Sequence, residues 1–80
     1  MSKTALITGV SSQDGAYLSK LLLEKNYNVV GLIRNSHNQT LSNLDYLGIK
    51  TDIQYEVGDL QDGISLSRIL NKIMPDEIYN

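Results

Sequence analysis

Cysteine is absent from the 80 residues, so neither a disulfide framework nor a thiolate metal site can be built. Histidine is nearly absent too. His37 stands alone, with no second imidazole to cooperate with, and reads as a loop residue. The sequence has no run of like charges and its formal net charge is -2, which gives no electrostatic footprint for nucleic acid or an anionic membrane surface. Both partners are discounted. Long apolar runs are missing as well, since Ala5-Leu6-Ile7 after Lys3 is cut by Thr8 and Gly9, well below the roughly 7 to 15 residues of a secretory core. Asn38-Gln39-Thr40 fits a glycosylation pattern that has meaning only in a secreted chain. The expected compartment is the cytoplasm.

What is present is ordinary globular composition, 41% hydrophobic and 20% charged, enough for one domain or part of one. Thr4 to Thr8 is a short apolar run ending at Gly9, suited to a strand buried on both faces. Leu18, Leu21 and Leu22 then recur at helical spacing, and that helix is expected to end near Asn26, which tolerates a left-handed cap. Residues 29–33 and 53–57 read as further strands, with a short helix over Leu41, Leu44 and Leu47 closed by Gly48 between them. Leu66, Ile69, Leu70 and Ile73 mark a last helix, capped by Asp62 or Ser65 and followed by Pro75. Glu77-Ile78-Tyr79 begins a fourth strand. The order strand, helix, strand with short links predicts an α/β fold, a Rossmann-type parallel sheet with flanking helices, with the first strand central and the second beside it. No linker, repeat or low-complexity segment interrupts it.

The first strand runs into Thr8-Gly9-Val10-Ser11-Ser12-Gln13-Asp14-Gly15, with a helix starting at about Asp14. A dinucleotide pyrophosphate needs a tight turn, close backbone approach and the free N–H groups of a helix start. Gly9 is expected to supply the turn and Gly15 the close packing of helix on strand, while the amides near Ser12, Gln13 and Asp14 face the phosphates. Ser11 belongs to the same turn. Ser12 replaces the middle Gly of the usual pattern, and its hydroxyl can donate to phosphate. The plainer reading, a loop terminator and a packing residue, loses ground once the strand before and the helix after are counted.

At the end of the second strand an acidic residue would bind a ribose 2′-OH, but Arg34 stands there instead. A guanidinium holds a 2′-phosphate through charge-assisted bonds, which favours NADP, and Ser36 can add a hydroxyl. A solvated strand-end cation is the alternative. After the third strand, Asp59 is placed to accept from an adenine amino group with Leu60 against the ring, although Asp before a helix is as often a capping residue.

At these positions the chain resembles the extended short-chain dehydrogenase/reductase family, most of all its bacterial branch acting on GDP-mannose. The resemblance covers essentially the whole chain and rests on Ala5-Leu6-Ile7-Thr8-Gly9, Gln13-Asp14-Gly15-Ala16-Tyr17-Leu18, Leu21-Leu22-Leu23-Glu24-Lys25, Asp52-Ile53-Gln54-Tyr55, Gly58-Asp59-Leu60 and Pro75-Asp76-Glu77-Ile78-Tyr79-Asn80. Two departures are Ser12, where the family usually has Gly, and Asn35, where it often has a second Arg used in its tetramer contacts. The resemblance implies redox-neutral dehydration of GDP-mannose to GDP-4-keto-6-deoxymannose with bound NADP, in a homo-oligomer. It implies that hydride leaves C4 and returns at C6, with a Tyr aided by Lys and Ser or Thr as base and a Glu assisting loss of water. None of those catalytic positions falls within residues 1–80, so no catalytic and no metal residue is assigned. Tyr17 and Tyr79 lack a Lys four residues later. A related sugar-nucleotide epimerase or reductase, or a non-catalytic dinucleotide-binding fragment, is the competing expectation. The 80 residues alone are expected to be inactive and marginally stable.

Overall fold

The computed structural model describes residues 2–34 and 41–79. Four strands, β1 (Thr4–Ile7), β2 (Asn28–Ile33), β3 (Gln54–Val57) and β4 (Glu77–Tyr79), alternate with α1 (Gln13–Glu24), α2 (Ser42–Tyr46) and α3 (Gly63–Ile73). Every strand pairing is parallel and the order across the sheet is β3-β2-β1-β4, so β1 is interior with β2 at its side, as the sequence predicts. This is the Rossmann-type arrangement, with helices on both faces of the sheet.

Side chains alternate across a strand, and here both faces are covered, which is why β1 and β2 after their first residues are apolar on both faces rather than at every second residue. Ala5, Ile7, Val29 and Ile33 join the larger core cluster with Ala16, Leu22 and Leu44 from α1 and α2. Leu6, Val30 and Leu32 face the other way and meet Ile69 of α3 in a smaller cluster. At roughly 1.5–3 kcal/mol for each fully buried aliphatic side chain, the α1 face carries most of the apolar stabilisation.

The helix ends follow from local chemistry. Ser12 caps α1, its Oγ accepting from Gly15 N, and the helix closes through Asn26, whose φ of 65° is the left-handed conformation expected of it. Of the two candidate caps for α3, Asp62 is the one used, accepting from the Ile64 and Ser65 amides. Gly48 ends the α2 segment at φ 74°. Two features were not foreseen: a 3-10 turn at Lys50–Asp52, and a left-handed Met74 at φ 49° that closes α3 before Pro75. β1 also stops at Ile7 rather than Thr8, although the Thr8 amide still bonds to the Tyr79 carbonyl at the end of the adjoining strand.

Candidate functional site

The carboxyl end of β1 opens into a turn that holds itself in shape. The Gly9 carbonyl accepts both the Ser12 amide at 3.1 Å and the Ser12 hydroxyl at 2.7 Å, and the Ser12 oxygen accepts the Gly15 amide at 3.0 Å. This part of Ser12 within the turn was not expected from the sequence. Its amide and its hydroxyl both donate to the Gly9 carbonyl, while the same Oγ caps the helix by accepting from Gly15 N. The Gln13 and Asp14 amides have no hydrogen-bond partner among the described residues, as the first turn of a helix requires.

Gly15 is buried where α1 crosses the turn, and a Cβ there would overlap the Gly9 carbonyl. The helix packs this closely only because residue 15 has no side chain. Gly9 differs from what its sequence position suggests. Its φ is not in the left-handed range, and a Cβ would meet nothing nearer than Ser12 Oγ at 3.7 Å. Neither the turn nor the packing demands a glycine at position 9, so the room it leaves is open to a visitor from outside.

Two contacts that sequence reasoning passed over, one through Gly31 and one through Asn43, hold the turn in place. Val10 is fully buried, and a Cβ on Gly31 in β2 would lie 2.7 Å from its Cγ1, so Gly31 provides the notch into which Val10 fits. A lone Gly inside an apolar strand is the available signal for such close approach. From α2, Asn43 Nδ2 donates to the Ser11 carbonyl at 3.2 Å. Its position after a short helix start carried no motif that would have marked it.

Two hollows lie side by side at the carboxyl ends of the strands. One, about 240 Å³, is lined by Gly9, Ser12, Asp14, Gly15, Leu18 and Tyr79 among others. The second, about 190 Å³, brings together Thr8, Arg34, Gly58, Asp59 and Leu60. Arg34 is exposed and makes no hydrogen bond or ion pair with another described residue. Asp59 Oδ1 accepts from Gln61 N at 2.9 Å, the turn role that competes with the adenine contact expected of it, while its other oxygen has no partner among the described residues. Leu60 is half exposed. Ser36, Asn35, His37 and the Asn38–Thr40 pattern lie outside the described residues. A larger groove of about 490 Å³ at the opposite strand ends, beside Asp52 and Lys72, gathers none of the expected residues.

A family model described as GDP-mannose 4,6 dehydratase matches residues 6–80. The chain belongs to the GDP-mannose 4,6 dehydratase family. Relatives in this family include GDP-mannose 4,6 dehydratase 1 of Arabidopsis thaliana, 45% identical over 84 residues, covering 98% of this chain and 23% of that protein. GDP-mannose 4,6-dehydratase of Vibrio cholerae serotype O1 is 43% identical over 83 residues, covering 98% and 22%. The chain therefore spans under a quarter of the length of the curated relatives it matches. Among solved structures, the Bordetella bronchiseptica enzyme WbmH in complex with NAD+ superposes at a TM-score of 0.75 with 23% identity, covering 98% of this chain and 25% of that one. A UDP-glucose 4-epimerase of Thermotoga maritima with UDP-glucose gives 0.74 and 20%, covering 94% and 22%. At these identities the likeness is one of fold.

On the α1 face of the sheet, the Glu77 carboxylate accepts from the hydroxyls of both Tyr79 and Tyr27, and Lys3 Nζ stands 3.9 Å away. The Tyr79 bond first, then the Tyr27 bond and the Lys3 charge, hold the Glu77 carboxyl below the ordinary carboxylate range. Both phenols are raised in turn, chiefly by their bonds to Glu77. The group ties the start of β2 to β4. Among the described residues no set of three or more His, Cys, Asp or Glu is arranged to hold a metal ion, and no helix is long and apolar enough to cross a membrane.

Proposed function

We propose that this chain is the cofactor-binding portion of a sugar-nucleotide dehydratase that converts GDP-mannose to GDP-4-keto-6-deoxymannose with NADP bound. The observation that carries the reading is the pair of unpartnered amides, Gln13 and Asp14, at the start of a twelve-residue helix beside the open side of Gly9. Such amides, at the positive end of a helix dipole, suit a pyrophosphate. The fit extends to the neighbouring hollow, where Arg34 offers a guanidinium to a 2′-phosphate and the free oxygen of Asp59 offers an acceptor to an adenine amino group.

Bound NADP supplies the hydride acceptor and donor of a redox-neutral dehydration. The share of residues 1–80 is to bind and orient. Gln13 and Asp14 fix the pyrophosphate by their amides, Gly9 leaves room for it, and Arg34, Asp59 and Leu60 fix the adenosine end. Ser12 supports the turn from within. No group that moves protons on the sugar is assigned within residues 1–80, and the enzyme is taken to be a cytoplasmic homo-oligomer.

The test is to titrate the protein that carries this chain with NADPH and NADH, then to incubate it with GDP-mannose and NADP⁺. Tighter binding of NADPH, with 4-keto sugar formed and no net change in NADP⁺, is the expected result. Net accumulation of NADPH, or no nucleotide binding, would refute the proposal.

A further inference from the structure

We infer that Asn43 is a positioning residue for the pyrophosphate turn, acting through the Ser11–Ser12 peptide rather than by touching a ligand. The inference deepens the dinucleotide reading above and rests on it. Its observation is the bond from Asn43 Nδ2 to the Ser11 carbonyl at 3.2 Å. Among the described residues this is the one side-chain hydrogen bond that reaches the backbone of residues 9–14 from another element.

The geometry explains why that carbonyl matters. In a trans peptide the C=O of one residue and the N–H of the next point in opposite directions. Asn43 holds the Ser11 C=O on the α2 side, and the Ser12 N–H of the same peptide reaches the Gly9 carbonyl at 3.1 Å on the other. With the plane fixed from both sides, the next two amides, Gln13 and Asp14, are set in direction before any ligand arrives. Asn43 is itself well placed to act as a fixed point, because the following residue, Leu44, is fully buried in the core shared by α1 and α2. A five-residue helix that supplies little core otherwise is thereby given a task in shaping the site. Pre-set donors bind without the ordering cost that a mobile turn would meet on ligand arrival.

The experiment compares Asn43→Leu, which keeps the shape and removes the donor, and Asn43→Ala with the parent in the protein that carries this chain. Two ligands are titrated, NADP⁺ and adenosine 2′-monophosphate, which lacks the pyrophosphate. Loss of one partly buried hydrogen bond is expected to weaken NADP⁺ about fivefold and to leave the mononucleotide unchanged. Amide hydrogen exchange in the ligand-free protein is read in parallel, and faster exchange is expected in residues 9–16 but not in α3. Unchanged exchange over residues 9–16, or equal weakening of both nucleotides, would overturn the inference. Faster exchange there in a protein that binds neither nucleotide would uphold the tether and refute the dinucleotide reading instead.

Discussion

The side-chain position of Gly15 is occupied by the carbonyl oxygen of Gly9, so that helix α1 rests directly on the turn that introduces it. The two glycines are consequently expected to respond differently to the same substitution. Gly15→Ala forces backbone apart and should cost at least about 1–3 kcal/mol, read as a lower urea midpoint with an unchanged slope. Gly9→Ala meets only ordinary contact and should alter stability by no more than about 0.5 kcal/mol, yet weaken NADP⁺ about tenfold by filling the space the ligand needs. Similar stability losses for both, or unimpaired binding by Gly9→Ala, would contradict this division.

Arg34 should discriminate between cofactors. Removing a charge-assisted contact to a 2′-phosphate is expected to cost on the order of 1.5–3 kcal/mol of NADP affinity. NAD has no such phosphate and should be little affected by Arg34→Ala. Equal losses for the two would remove the role.

Glu77 should shape the pH dependence of stability at both ends. Its folded pKa lies below the unfolded value of about 4.3, so its contribution is complete above that pH and is lost as pH falls through the folded value. Tyr79 and Tyr27 have folded pKa values raised above about 10, so theirs is present below pH 10 and lost as pH rises through the folded values. Glu77→Gln should therefore destabilise at pH 7 and differ less from the parent at pH 3. Thermal midpoints at the two pH values decide the matter, and an equal difference at both would count against the carboxylate as the cause.

Residues 1–80 in isolation should unfold over a broad transition and form no product from GDP-mannose. The smaller cluster beneath α3 buries little, and Ile78 on β4 is 56% exposed. Chains of this size already bury only about 60% of their unfolded surface. A steep urea transition that NADP shifts upward would disprove the claim of marginal stability. Turnover above background would show that catalytic groups lie within these residues.

The sheet was legible because both faces of its two inner strands are covered, which makes β1 and β2 largely apolar runs between turn residues, and because the leucine and isoleucine spacing of α1 and α3 is strongly periodic. The turn between β1 and α1 was legible through Gly15, where the helix packs on the Gly9 carbonyl as its place between strand and helix suggests. What escaped was tertiary. The inward hydroxyl of Ser12 depends on Gly9 curling back to meet it, the notch at Gly31 on where Val10 lands, and the bond of Asn43 on the docking of a short helix. The left-handed Met74 has no local propensity to announce it, since a side chain of that kind seldom adopts such a conformation.

The central place of β1 has a consequence for the order of events when the chain is made. β1 pairs on one side with β2, which follows it closely, and on the other with β4, roughly three times as far along the chain. By loop-closure entropy the distant pairing is disfavoured by roughly 1 kcal/mol relative to the near one. In vectorial synthesis the β1-α1-β2 unit, with the Gly9–Gly15 turn already formed, is complete while β4 is still to emerge. The edge of β1 that receives β4 stays unpaired through that interval and is open to pairing with another chain.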